Sequence, residues 1–146
     1  MTNTSDCYCA KRSGTSYTKS ARPKILVVDD DADIQSGIEI RLKEFDVEIL
    51  HAYHGMQGVN LAIEKQPSLI IADMAMPNGS GEYLMRCLEN QDSTRSLPVI
   101  VMTGMRDPRI RNQAKRCGAA AYLQKPVVFE RLLDEIQQHV QLDKST

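Results

Sequence analysis

The feature that most constrains this chain is a series of five short, largely apolar runs: Ile25 to Val28, Val47 to Ala52, Leu69 to Ala72, Val99 to Met102 and Ala120 to Leu123. A strand with one face in water alternates apolar and polar residues, whereas a run that is apolar nearly throughout is covered on both faces. Between the runs, apolar residues recur at helical spacing: Ile34, Ile38, Leu42 and Phe45; Val59, Ala62 and Ile63; Leu84, Cys87 and Leu88; Ile110, Ala114 and Cys117; and Phe129, Leu132, Leu133, Ile136 and Val140. Strands alternating with helices predict an α/β fold of three layers, a doubly wound five-stranded parallel sheet of (βα)5 form. Punctuation agrees. Pro67 and Pro98 precede strands, Gly118 stands where a helix would end, and Asn78-Gly79-Ser80-Gly81 supplies a turn after the third strand.

Residues 1 to 22 are rich in Ser and Thr and have no apolar period, which predicts a flexible N-terminal tail (1–22) and one folded domain over 23–146. With 18 basic and 19 acidic residues the net charge is −1, so no global field points to nucleic acid or an anionic membrane as a partner. No apolar stretch approaches the roughly 20 residues of a membrane span. The N-terminal run has no apolar core of a secretory signal, so a cytoplasmic setting is expected. Thiols stay reduced there. Cys87 and Cys117 fall on the apolar faces of predicted helices, and Cys7-Tyr8-Cys9 lacks a second ligand pair, so a metal reading is set aside. His51, His54 and His139 are read as ordinary surface or packing residues.

In such a sheet, ligands bind beyond the carboxyl ends of the strands. Those ends carry Asp29-Asp30-Asp31 after the first strand, Asp73 after the third, Thr103 after the fourth and Lys125 after the fifth. Taken singly, each has a bland reading: a helix cap for the Asp run, a turn for Asp73, a strand residue for Thr103, a solvated Lys125. Their joint placement at one edge favours a site. If the first and third strands are neighbours, about 4.8 Å apart, the carboxylates of Asp29, Asp30 and Asp73 converge. Crowded carboxylates either take up a proton or recruit a cation, and an all-oxygen set suits Mg²⁺, with Mn²⁺ as a workable substitute. A carboxylate attacking an anionic phosphoryl donor needs its charge offset, which the metal, Lys125 and the Thr103 hydroxyl can supply.

The chain closely resembles the receiver domains of two-component response regulators over Lys24 to Leu142. Four ordered motifs carry the resemblance: Ile25-Leu26-Val27-Val28-Asp29-Asp30-Asp31; Asp73-Met74-Ala75-Met76-Pro77-Asn78 followed by Gly81; Val101-Met102-Thr103-Gly104; and Tyr122-Leu123-Gln124-Lys125-Pro126. The resemblance implies the flavodoxin-like strand order 2-1-3-4-5. It implies Asp73 as phosphoacceptor, with Asp30, Asp73 and the main-chain carbonyl of Ala75 contacting Mg²⁺ directly and Asp29 assisting, often through water. Thr103 and Tyr122 would form a switch pair that alters the face made by the fourth helix, fifth strand and fifth helix. Lys125-Pro126 would be a cis peptide bond. By the same resemblance the chain is a signalling phosphoacceptor, not a turnover enzyme, and catalyses only its own phosphorylation and dephosphorylation. Its implied partners are a sensor histidine kinase or histidine phosphotransfer protein upstream and a protein target on the switched face, with the chain a monomer or a phosphorylation-dependent dimer. Only a few polar residues follow the last predicted helix, so no output domain is expected within this sequence. It reads as a stand-alone regulator or as a receiver cut from a longer protein, and signalling is expected to pass through docking.

Two alternatives compete with this reading. Asp31-Ala32-Asp33 fits the Asp-x-Asp pattern of haloacid-dehalogenase-like phosphohydrolases, but Asp29, not Asp31, stands at the strand end, and the chain leaves little room for a substrate cap. An interaction module of receiver fold that is never phosphorylated is not required, since all five expected site side chains are present. The basic run Arg106, Arg109, Arg111, Lys115 and Arg116 is read as a solvated helix face, with docking of an acidic partner as the alternative.

Overall fold

The computed structural model describes residues 22–76 and 81–145. Residues 1–21 of the expected tail, with Cys7 and Cys9, and the Asn78-Gly79-Ser80 part of the expected turn lie outside the described residues. The elements are β1 Lys24–Val28, α1 Ala32–Leu42, β2 Glu48–Ala52, α2 Gly55–Lys65, β3 Leu69–Ala72, α3 Gly81–Glu89, β4 Val99–Thr103, α4 Pro108–Arg116, β5 Ala121–Gln124 and α5 Phe129–Gln137. The five strands form one parallel sheet in the order β2-β1-β3-β4-β5, the flavodoxin-like 2-1-3-4-5 arrangement.

The sheet separates two cores. Ile25, Val27, Leu69, Ile71, Ile100 and Met102 point to the side of α1 and α5, where Ile38, Leu42, Leu132 and Ile136 meet them. Leu26, Val28, Ile70, Ala72, Val99 and Val101 point to the other side and meet Ala62, Leu84, Met85, Leu88 and Ala114. Successive strand residues alternate between cores, which is the physical reason these runs are apolar at consecutive positions.

Element edges differ from the sequence reading by a residue or two. β1 starts at Lys24, and β2 starts at Glu48 because the Glu48 N–H already bonds to the Pro23 carbonyl at 2.9 Å. β5 is shifted on by one. Thr103 lies inside β4, paired with Gln124 of β5, and not after it. The last helix ends at Gln137, while Val140 stays in the core just past it.

Local chemistry sets the helix ends. Asp31 caps α1 by accepting the Asp33 N–H at 2.9 Å, and Asp107 caps α4 by accepting the Arg109 N–H at 2.9 Å ahead of Pro108. Past α4, Gly118 takes φ +86°, a left-handed conformation that suits glycine.

Candidate active site

Backbone hydrogen bonds carry the sheet one rung beyond its strands, and that extra rung holds the site. The Asp29 N–H bonds to the Ala52 carbonyl at 3.0 Å, the Asp73 N–H to the Val28 carbonyl at 3.0 Å, and the Lys125 N–H to the Thr103 carbonyl at 2.8 Å. With Val28 paired to Ala72, Asp29 and Asp73 become neighbours on adjacent strands. Both are nearly sealed from solvent, at 3% and 7% exposure, whereas Asp30 is exposed. One carboxylate oxygen from each of Asp29, Asp30 and Asp73 lies within 4.8 Å of the other two. The expected convergence of the three acids is present.

Each buried carboxylate has a defined partner on each oxygen. Asp29 Oδ1 accepts the Asp31 N–H at 2.9 Å and its Oδ2 accepts Lys125 Nζ at 2.8 Å. Asp73 Oδ1 accepts the Ala75 N–H at 3.1 Å and its Oδ2 accepts the same Lys125 ammonium at 3.2 Å. Lys125 thus bridges two acids, a role the sequence did not give it. The Lys125-Pro126 bond is cis, as the resemblance implied.

Electrostatics follows. Burial pushes Asp29 above its ordinary carboxylate range, and the nearby Asp73 charge adds to that rise; the hydrogen bonds from Lys125 and Asp31 oppose it but do not win. For Lys125 burial alone would lower the value, yet the Asp29 hydrogen bond and the Asp73 charge outweigh it and raise the ammonium above its ordinary range. One ammonium among three carboxylates leaves the pocket short of positive charge.

Thr103 is fully buried, and its hydroxyl oxygen accepts the Met105 N–H at 3.2 Å. The Met105 carbonyl in turn accepts from the Tyr122 hydroxyl at 3.5 Å. One residue, Met105, therefore joins the expected switch pair, through its N–H to Thr103 and its carbonyl to Tyr122. Ala75 lies in the loop directly after Asp73, tied to it by the backbone bond above. On the far side, Gly81 opens α3 against the Asp73 main chain: a Cβ there would lie 2.4 Å from the Asp73 carbonyl oxygen and 2.9 Å from Met74 Cα. No side chain fits that approach.

Asp31 and Asp33 do not join the cluster; Asp31 is exposed and spent on the helix cap, which removes the Asp-x-Asp arrangement. The sequence reading missed Gln35. Its side chain is 1% exposed, and its Nε2 donates to the carbonyls of Val27, Asp29 and Ala52 at 3.0, 3.2 and 2.7 Å, which fixes the loop leaving β1. The signal was present: Gln35 precedes Ile38 and Leu42 by three and seven positions, on the apolar stripe of α1. The Gln35 oxygen then accepts from His51 Nδ1, and His51 Nε2 faces Glu39 at 2.8 Å, so His51 packs as structure. His54 caps α2 by accepting the Gln57 N–H at 3.2 Å.

Comparison with known proteins agrees with this geometry. Residues 25–137 match the model of the response regulator receiver domain. The chain is 34% identical over 113 residues to Protein PilH of Pseudomonas aeruginosa, covering 77% of this chain and 93% of that one. It is 30% identical over 115 residues to the DNA-binding dual master transcriptional regulator RpaA of a Synechocystis strain, where it covers 79% of this chain but spans only about half, 48%, of RpaA. Among solved structures, the chemotaxis protein CheY4 of Vibrio cholerae superposes with a TM-score of 0.75 at 27% identity, covering 82% of this chain and all of that one. Motifs, sheet order and these matches converge on one assignment: the chain belongs to the response regulator receiver domains, the CheY-like receivers of two-component systems.

Proposed function

We propose that this receiver accepts a phosphoryl group on Asp73 from a phosphohistidine of a sensor histidine kinase or histidine phosphotransfer protein, in a Mg²⁺-dependent reaction. The observation that carries the reading is the convergence of three carboxylates within 4.8 Å at the sheet edge, with Lys125 Nζ between two of them. Hard carboxylate oxygens in a pocket with excess negative charge fit a small hard cation. Asp29, Asp30 and Asp73 would hold it together with the Ala75 carbonyl. When bound, Mg²⁺ offsets the negative charge that opposes carboxylate attack on a phosphoryl donor.

The residues have separable tasks. An Asp73 carboxylate oxygen forms the new bond to phosphorus as the phosphorus–nitrogen bond breaks, and the departing imidazole keeps that electron pair. The Ala75 N–H holds the second Asp73 oxygen, which orients the nucleophile. Lys125 turns from its bridge toward a phosphoryl oxygen, and Thr103 donates its hydroxyl to another. That turn of Thr103 releases the Met105 N–H, while the Tyr122 hydroxyl holds the Met105 carbonyl. The strain passes to the face made by α4, β5 and α5, where a protein target docks. Steady turnover of a separate substrate is not part of this reading. The proposed compartment is the cytoplasm; among the described residues no helix is long and apolar enough to cross a membrane.

The test is intact mass after incubation with a small phosphodonor and Mg²⁺. A single phosphoryl adduct is expected on the wild-type chain, not formed when a chelator is present from the start and absent in Asp73→Asn. An equal adduct on Asp73→Asn, or none on the wild type, overturns the assignment.

A further inference from the structure

Gln35 is a buried amide with no part in the proposed phosphoryl chemistry, yet it holds both ends of the turn that carries Asp30. Its main-chain N–H donates to the Asp31 carbonyl at 3.2 Å, and its side-chain Nε2 donates to the Asp29 carbonyl at 3.2 Å. The same nitrogen reaches the Val27 carbonyl at 3.0 Å and the Ala52 carbonyl at 2.7 Å, and Ala52 also accepts the Asp29 N–H. The ends of β1 and β2 and the loop between β1 and α1 therefore meet on one NH2 group. Three carbonyls around that nitrogen fix the orientation of the amide, because the opposite flip would set oxygen against oxygen. The Gln35 oxygen accepts from His51 Nδ1, and His51 Nε2 faces Glu39 at 2.8 Å. Glu39 is exposed, His51 half-buried and Gln35 sealed, so the chain of contacts runs from solvent inward to the Asp30 loop.

Asp30 differs from the other two acids of the cluster. Asp29 and Asp73 have their oxygens tied to main-chain N–H groups and to Lys125, whereas among the described residues the Asp30 carboxylate has neither a hydrogen bond nor an ion pair. Its place is set by its backbone, and Gln35 sets that backbone. We infer that Gln35 is a positioning residue for the divalent cation: by holding the carbonyls on either side of Asp30 it keeps this carboxylate in reach of Asp29 and Asp73, while His51 holds the Gln35 amide in turn. The inference rests on the reading that these three acids bind Mg²⁺. A small cation with a strict octahedral shell gains little from a ligand that wanders. Removing the group that orients a ligand typically costs roughly 10- to 100-fold in metal affinity. A buried amide that only supported the fold would instead lower stability and leave the affinity of the folded chain unchanged.

The experiment titrates MgCl2 into the metal-free full chain by calorimetry, well below the melting temperature of each variant. Gln35→Met keeps the length of the side chain and removes its donors, and its Mg²⁺ dissociation constant is expected to rise roughly tenfold. In the metal-free state the same variant should show faster amide exchange at residues 29–31, with β3 unchanged. Thr94→Val is the matched control: Thr94 is 1% exposed and its hydroxyl donates to the Leu88 carbonyl at 2.7 Å, past the end of α3. It should lose stability and keep the wild-type affinity. His51 supplies a second pair of variants. His51→Leu should weaken Mg²⁺ binding roughly threefold, and His51→Asn, whose amide N–H can replace the Nδ1–H without reaching Glu39, should bind like the wild type. Wild-type affinity in a folded Gln35→Met, or in His51→Leu if Gln35→Met does not fold, overturns the inference, and so does an equal loss of affinity in Thr94→Val. A wild-type chain that binds no Mg²⁺ overturns the cation reading of the three acids and this inference with it, whereas binding that the variants leave unchanged overturns the inference alone.

Discussion

Helices α3 and α4 are both nine residues long and pack on the same side of the sheet, yet they are held in opposite ways. α3 buries Gly81, Leu84, Met85 and Leu88 and begins against the Asp73 main chain. α4 buries only Ala114 and is otherwise largely polar and basic. The strands beside them differ likewise: β3 is buried throughout, while edge strand β5 buries only Leu123. Few buried apolar contacts mean a low free energy of local opening. On the proposed reading, the region that would hold the carboxylates in place is the tightly packed one, and the region that would answer a change at Asp73 is loosely packed.

Truncation of the two helices gives the largest contrast. Leu84→Ala, at a fully buried position in α3, should cost roughly 3 to 4 kcal/mol in denaturant unfolding. Ile110→Ala, at a partly buried position in α4, should cost only about 1 kcal/mol. Equal costs would erase the distinction. Next in size, Mg²⁺ at about 100 times its dissociation constant should add roughly 2.7 kcal/mol to the wild type. Without metal, Asp73→Asn should gain roughly 1 kcal/mol by removing a repelling charge, and should lose most of the metal effect. A fall in its metal-free melting temperature would contradict the crowding argument.

Gly81→Ala sharpens the comparison from the rigid side. The new methyl would meet main-chain atoms of Asp73 and Met74 that have no free rotamer to yield, so about 2 kcal/mol of destabilisation and slower uptake of phosphoryl groups are expected. Gly104→Ala, with open space at its Cβ, is the control and should be nearly silent in stability.

The smallest effect concerns pH. Lys125 has a folded value above its ordinary 10.5, so its stabilising contribution is complete below that pH and is lost as pH rises through the folded value. Asp29 is raised above its ordinary 3.8, so its ionisation on going up in pH takes stability away. Stability curves of wild type and Lys125→Met should therefore converge on the alkaline side. A constant gap there would mean that the Lys125 bridge adds nothing to folding.

Much of this was legible in the residues, for identifiable reasons. β1 and β3 are buried on both faces, so Ile25 to Val28 and Leu69 to Ala72 had to be apolar at every position, and Asp29 and Asp73 stood out as the first polar residues beyond them. Strand order came from the resemblance, because no local pattern states which strands are neighbours. Thr103 was placed just past its strand because a hydroxyl at a strand end does not reveal whether the ladder continues. The Lys125 bridge and the Gln35 anchor depend on contacts between residues 96 and 17 positions apart, which periodicity does not encode.

The most direct test of this division is amide hydrogen exchange with and without phosphodonor and Mg²⁺, on protein whose Asp73 adduct has been verified by mass. In the unmodified chain, α4 should exchange faster than α3. Phosphorylation should change exchange in residues 104–116 and in β5, while β1 and β3 keep their protection. Equal protection of α3 and α4 at the outset, or a complete adduct with no change beyond residue 103, would contradict the account.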